Sequence, residues 1–324
     1  MMCLKPFVYI TRKLPEDELS LLTQQYEVEM WSEEDTAVPR AVLFEKVEKA
    51  QALLTMLSDQ VDEEVLQRGK KLKIVANMAV GYDNVNVQMA ANQGVLVTNT
   101  PDVLTETTAD LVFSLILMTS RRTIEASDLL RRGEWTNWSP FMLAGADVHH
   151  KTIGIFGMGE IGQAVAHRAR GFHMKIIYHN RKSIPEEEER LCASFVSFSE
   201  LLEQADFVVC LAPLTAETRG VFGEKEFKAM KKSAIFINAA RGAIVKESEL
   251  ITALKNNDIA GAGLDVFERE PIGSEHPLVA LSNVVLLPHI GSATEETRRG
   301  MMRLCVQNIH RVLDGEKPLN VVHP

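Results

Sequence analysis

Gly154-Ile155-Phe156-Gly157-Met158-Gly159-Glu160-Ile161-Gly162 stands near the middle of a chain of 324 residues, and its reading decides the rest. An apolar run opening at Lys151 precedes it and a helical pattern over 163–170 follows. A GxGxxG string is weak alone, because glycine turns also arise for structural reasons. Strand, glycine turn and helix in that order give each glycine a task. Gly157 permits the tight turn, Gly159 lets the backbone approach a pyrophosphate, and Gly162 lets helix and strand touch. Met158, Glu160 and Ile161 complete the cradle, with free N–H groups at the helix start facing the phosphates. The central position implies that roughly the first hundred residues form something else, so two domains are expected.

Composition narrows the class. Hydrophobic residues make up 46% and charged ones 24%, the balance of an ordinary soluble globular protein. The formal net charge of −9 argues against nucleic acid and against an anionic membrane surface. An anionic substrate must then be held by a local positive site. Cys3, Cys192, Cys210 and Cys305 are scattered, with neither metal-ligand spacing nor a disulfide framework. The first twelve residues read as a short strand without the apolar core of a signal peptide, and no stretch reaches a membrane span. A cytoplasmic enzyme is the expectation.

Strand patterns at 7–11, 27–31, 52–56, 74–78 and 95–98 alternate with helical patterns at 15–26, 40–50 and 63–67. That alternation predicts a parallel sheet covered on both faces. A long helix is expected over 104–122, followed by a polar, Trp-bearing stretch over 133–150. Beyond the glycine turn, strands at 175–178, 207–211, 234–238, 263–266 and 284–287 have the spacing of a doubly wound dinucleotide domain. The charge run at 186–190 reads as a solvated helix face. The last helix, 295–313, is expected to return to the first domain. The predicted architecture is α/β: two doubly wound parallel-sheet domains, Rossmann- and flavodoxin-like, with a cleft between them. Residues 102–291 would bind the dinucleotide, and 1–101 with 292–324 would form a discontinuous substrate domain.

About twenty residues after a glycine turn, folds specific for NAD place an acid on the ribose 2′-hydroxyl. Here the strand ends in His179-Asn180-Arg181-Lys182, which offers two cations and no carboxylate. A guanidinium pairs with a 2′-phosphate in a bidentate fork. NADPH is therefore expected over NADH, with NADH possible. The plain alternative is that Arg181 and Lys182 are ordinary surface charges.

Three further signals follow predicted strands, where ligands bind in open α/β sheets: NAARG at 238–242, DVFEREP at 265–271 and PHIGSA at 288–293. Singly, Arg241 reads as a surface charge, Glu270 as a turn residue and His289 as a core histidine. Together they supply a carboxylate anchor, a proton donor and an acid to tune the donor. A buried arginine costs several kcal/mol unless paired, so an anionic ligand is its natural partner.

With these residues in hand, the chain resembles the D-isomer-specific 2-hydroxyacid dehydrogenases over essentially its whole length. VGYD at 80–83, GMGEIG at 157–162 and LAPLTAET at 211–218 join the three strings above in order and spacing. Within the family it most resembles bacterial glyoxylate/hydroxypyruvate and 2-ketogluconate reductases, through LTMLS at 54–58, Asp147-Val148-His149 and the basic strand end. The resemblance implies a catalytic trio of Arg241, Glu270 and His289. It implies that Val80 and Gly81 offer N–H groups to the substrate carboxylate, with Leu57 nearby. Thr108, Leu211, Pro213, Thr218, Ala239, Ala240, Asp265 and Gly291 would line the cofactor site with Asn180, Arg181 and Lys182. It further implies a homodimer through the nucleotide domains, with Trp138 approaching the partner's active site. His150 and His173 depart from the family, standing where it commonly has glycine. His149-His150 suggests a metal only superficially; with no third ligand in view it reads as a polar turn.

The implied reaction is reversible hydride transfer between nicotinamide C4 and the carbonyl carbon of a small 2-keto acid, giving the D-2-hydroxy acid. His289 would donate the proton, Glu270 would orient its ring and favour its charged form, and Arg241 would grip the carboxylate. Gluconate 2-dehydrogenase (2-ketogluconate reductase) is the main alternative. A polyol acid needs more hydrogen-bond partners, which the sequence does not locate. Phosphoglycerate dehydrogenase shares the scaffold, but many carry a regulatory domain for which no room is expected after 313. Formate dehydrogenases suit Glu270 less well. A non-catalytic NAD(H)-sensing protein of the corepressor kind keeps a similar trio, and a turnover assay separates it.

Overall fold

The computed structural model describes residues 5–324; Cys3 and the rest of the first four lie outside the described residues. The chain divides into two compact units, Met1–Leu104 with Ala293–Pro324, and Thr105–Ser292. Both are parallel α/β sheets.

In the first unit, β1 (Phe7–Ile10), β2 (Glu27–Met30), β3 (Ala52–Thr55), β4 (Ile74–Asn77) and β5 (Leu96–Thr98) lie in the order β2-β1-β3-β4-β5. β3 and β4 are buried at every residue, which parallel strands covered on both faces require. β2 alternates exposed and half-buried residues, as an edge strand does. Helix Glu295–Leu313 packs on β3 and β4, and Thr294 caps its first turn by accepting the Thr297 N–H at 3.3 Å.

In the second unit, β6 (Thr152–Phe156), β7 (Lys175–His179), β8 (Ala193–Phe195), β9 (Phe207–Cys210), β10 (Ile235–Asn238), β11 (Gly261–Leu264) and β12 (Val284–Leu286) lie in the order β12-β11-β10-β9-β6-β7-β8. The direction of winding reverses between β6 and β9, the switch point where dinucleotide folds bind. Helix Thr105–Ser120 packs on β10, β11, β12 and helix Glu160–Gly171. On the other face, Phe222 meets Phe236 and Phe156 at ring-centroid separations of 4.9 and 5.2 Å. Burying each such ring stabilises the unit by about 1.5–3 kcal/mol.

The structure corrects four expectations. The helix expected over 15–26 is a 3-10 turn, Glu16–Leu19, continued by an α-helix, Ser20–Gln25. The helix expected to 122 ends at Ser120; Arg122 takes φ +52°, and a further helix, Thr123–Arg131, follows. None of its residues is buried, and its apolar Ile124 and Leu130 are left exposed. β8 escapes a sequence reading because it has three residues, two of them exposed. β11 starts at Gly261, two residues ahead of the expected strand, since Gly261 and Ala262 are as buried as Leu264.

His150 and His173 take φ +61° and +53°. A left-handed conformation costs a residue bearing Cβ about 1–2 kcal/mol, a cost that glycine would not carry at either position. The His150 and His173 rings stack at 5.3 Å, and the His149 ring meets His150 edge-on at 5.2 Å. Among the described residues no group of three or more His, Cys, Asp and Glu could hold a metal ion, and no helix is long and apolar enough to cross a membrane.

Candidate active site

The glycine turn is built as its sequence requires. Gly157 has φ +106°, and a Cβ there would meet the Ala212 N at 2.5 Å. A Cβ on Gly162 would meet the Gly157 O at 2.3 Å, so helix and strand touch only without one. A Cβ on Gly159 would meet nothing within 4 Å, because that face is open. Gly159 is also the N-cap of helix Glu160–Gly171 and supplies no side chain to its first N–H groups. Open approach and unsatisfied donors together fit a pyrophosphate. The Met158 N–H is directed elsewhere, to Asn180 Oδ1 at 3.0 Å. Asn180 therefore ties the end of β7 to the turn.

Arg181 and Lys182 follow on the surface, both exposed. The Thr215 hydroxyl, and more weakly the Arg181 charge, hold the Glu217 carboxyl below its ordinary range. Glu217 lies in the loop after β9, where the Thr218 hydroxyl donates to Pro213 O at 2.7 Å and accepts the Thr215 N–H at 2.8 Å. Leu211 opens that loop, its N–H on Phe156 O at 2.8 Å.

Arg241 sits half-buried after β10 in extended backbone. Asn238, 1% exposed, shapes the turn: its Oδ1 accepts the Ala240 N–H and its Nδ2 donates to Arg241 O, both at 3.1 Å. Ala239 is half-buried in the same turn. A Cβ on Gly242 would meet the Phe267 carbonyl carbon at 1.8 Å, so this turn lies directly on the loop after β11. That loop carries Glu270. Its Oε1 accepts the Phe267 N–H at 3.0 Å, and its Oε2 is 2.7 Å from His289 Nδ1. Burial pushes the Glu270 carboxyl up, but the His289 bond and charge, the Phe267 N–H and the Arg241 charge outweigh it and hold it below the usual range.

His289 takes φ +54°, and its N–H lies 2.9 Å from Asp265 O. Asp265, 1% exposed, accepts the Ile290 and Gly291 N–H groups through its two carboxylate oxygens, each at 2.8 Å. Burial nevertheless lifts its carboxyl to about 6. A Cβ on Gly291 would stand 3.4 Å from Thr108 Cγ2, which brings Thr108 to the same turn. Arg241, Glu270 and His289 are thus gathered at the carboxyl ends of β10, β11 and β12. The ring contacts Glu270 through Nδ1, which leaves Nε2 as the nitrogen that can exchange a proton with a ligand.

Trp138 is not linked to this group; it is 69% exposed, and its backbone N–H bonds the neighbouring Asn137 side chain. Leu57, Val80 and Gly81 belong to the first unit, all half-buried in the loops after β3 and β4. Sequence reasoning missed two supporting roles. Asn238 stands in the NAARG motif with no task that its position announces. The hold of Asp265 on the turn after His289 has no sequence signal beyond an acid at a strand end.

Residues 113–291 match the family profile described as D-isomer specific 2-hydroxyacid dehydrogenase, NAD binding domain. The chain is 52% identical over 324 residues to a glyoxylate reductase of Thermococcus gammatolerans, covering 99% of this chain and 96% of that one. It is 48% identical over 324 residues to a glyoxylate reductase of Pyrococcus horikoshii, with coverage of 99% and 96%. A crystal structure of an NADPH-dependent glyoxylate/hydroxypyruvate reductase from Sinorhizobium meliloti, in complex with NADP and malonate, is similar at a TM-score of 0.86 and 34% identity, covering 98% of this chain and 97% of that one. A protein of Thermus thermophilus superposes at a TM-score of 0.91 with 43% identity, covering 98% and 99%. The chain belongs to the D-isomer specific 2-hydroxyacid dehydrogenase family, and is an NAD(P)-binding oxidoreductase.

Proposed function

We propose that this enzyme reduces glyoxylate, and hydroxypyruvate as a second substrate, to the D-2-hydroxy acid with NADPH. The observation that carries this reading is the 2.7 Å contact between His289 Nδ1 and Glu270 Oε2, with the Arg241 charge close enough to act on Glu270. The names of the relatives support the substrate class. When held at the glycine turn, the dinucleotide would supply the hydride. Arg241 holds the substrate carboxylate and polarises the adjacent carbonyl, a fork that Lys cannot reproduce. His289, charged and held by Glu270, gives its Nε2 proton to the carbonyl oxygen as negative charge develops there. In the oxidative direction neutral His289 takes the proton back.

Residues 102–291 form the dinucleotide domain in this reading, and 1–101 with 292–324 the substrate domain. Val80 and Gly81 offer N–H groups to the substrate carboxylate, with Leu57 nearby. Arg181 and Lys182 select the 2′-phosphate, since no acid stands at the end of β7. Thr108, Met158, Glu160, Ile161, Asn180, Leu211, Pro213, Thr218, Ala239, Ala240, Asp265 and Gly291 complete the cofactor site. The chain works as a homodimer in the cytoplasm, where NADPH is maintained as a reductant. Trp135, Trp138 and Phe141, 54%, 69% and 87% exposed, form the surface that pairs.

The test is a spectrophotometric panel of glyoxylate, hydroxypyruvate, 2-ketogluconate and pyruvate, each with NADPH and NADH. Highest kcat/KM on glyoxylate with NADPH is expected. Highest kcat/KM on 2-ketogluconate would replace the substrate assignment. Dinucleotide binding without turnover on any acid would make the chain a sensor instead.

A further inference from the structure

The loop after β4 carries Val80 and Gly81, and the carbonyl preceding each of their N–H groups is held. Ala79 O accepts the Thr100 N–H at 2.9 Å, and Val80 O accepts Asn99 Nδ2 at 2.8 Å. Among the described residues the one cis peptide is Glu270–Pro271, so both linkages here are trans. A trans peptide is planar, with its N–H antiparallel to its C=O. Holding the Ala79 carbonyl therefore aims the Val80 N–H the opposite way, and holding the Val80 carbonyl aims the Gly81 N–H. Neither N–H donates to another described residue.

Asn99 can hold Val80 O only while its amide is oriented with Nδ2 toward that oxygen. Asn320 sets this orientation. Its Nδ2 donates to Asn99 Oδ1 at 2.9 Å and to Asn99 O at 2.8 Å. A flipped Asn99 would turn its Oδ1 on the Val80 carbonyl, acceptor against acceptor. Asn320 is itself fixed, because its Oδ1 accepts Asn308 Nδ2 at 3.0 Å. Asn308 is fully buried on helix Glu295–Leu313 and accepts the Leu319 N–H at 2.8 Å. The Val322 N–H donates to Val97 O at 2.8 Å, which fastens the same segment along β5.

We infer that Asn320 is a positioning residue for substrate binding: through Asn99 it fixes the Val80 carbonyl and so keeps the Gly81 N–H presented to the carboxylate of the 2-keto acid. This rests on the role proposed above for Val80 and Gly81. The substrate carboxylate keeps its charge throughout hydride transfer, so the contact is equal in ground and transition states. Its loss raises KM and spares kcat.

Asn320→Asp keeps the shape and removes both donors; Asn320→Ala removes them without adding charge and guards against misfolding of the charged variant. Both are expected to raise the glyoxylate KM about 5–20-fold, with kcat within about 2-fold and NADPH affinity unchanged. Amide exchange at Thr100, read by NMR, should speed up by about tenfold as the loop loosens. An unchanged KM in the folded, active variants overturns the inference, as does a fall in kcat at constant KM. Should the wild type reduce no 2-keto acid, the functional reading falls separately. The relay is then decided by exchange alone: acceleration supports it, and an unaltered Thr100 rate overturns it.

Discussion

Asp265 grips Gly291 directly, its Oδ2 taking the Gly291 N–H at 2.8 Å while its Oδ1 takes that of Ile290. A buried acid thus fixes the two peptide units that follow His289. Burial lifts its carboxyl to about 6, so the folded chain binds this proton more tightly than the unfolded one. The sign follows: stability linked to this group falls as pH rises from about 4 through about 6, and then levels off. Asp265→Asn keeps one acceptor and loses the other, at a cost of about 1–2 kcal/mol. The variant has no proton to lose, so its melting temperature should lag the wild type by more at pH 5 than at pH 7.5. A lag independent of pH would show that the carboxyl is not lifted.

The Glu270–His289 contact makes a kinetic prediction. His289→Ala should cost about two to four decades of reductive turnover while NADPH binding, measured by fluorescence titration, stays nearly intact. Near-normal turnover would remove the acid–base role.

Glu270 bears on the acid side of the pH profile. Its carboxyl is held below the ordinary range, so the ionised contact to His289 is present at and above that range and is lost only as pH falls through the lowered value. Loss of the Glu270 charge should accordingly not limit reductive kcat between neutrality and about pH 5. Glu270→Gln keeps an acceptor for the Phe267 N–H but removes the charge, and should lower kcat about 10–100-fold at pH 7. A kcat unchanged in that variant would assign Glu270 to loop structure alone.

Arg181 tests cofactor choice. Arg181→Ala should raise the KM for NADPH about tenfold or more and leave that for NADH nearly unchanged, because only NADPH carries the 2′-phosphate. Equal effects on both cofactors would make Arg181 a surface charge.

Phe141, at 87% exposure, tests assembly. Phe141→Asp puts a charge into the proposed pairing surface and should shift sedimentation velocity from dimer to monomer. A wild type that sediments as a monomer at micromolar concentration would end the dimer proposal.

Much of this molecule can be read along the chain, and the reason is periodicity. β3, β4, β9 and β10 are buried on both faces, so they appear as continuous apolar runs. The Gly157, Gly159 and Gly162 spacing specifies a turn whose backbone a Cβ would obstruct at two of its three glycines. Arg241, Glu270 and His289 could be singled out because each follows such a strand. Helix Thr123–Arg131, none of whose residues is buried, and the three-residue β8 do not follow from such runs.

Polar partnerships lie beyond any local pattern. Asp265 meets Ile290 25 residues away, and Asn320 meets Asn99 across 221. Nothing in the composition around either residue marks the pairing, since a hydrogen bond needs its donor and acceptor within about 3 Å and aligned. That proximity arises only when distant segments are packed together within each unit, so these residues were legible along the chain while their orientation was settled by the fold.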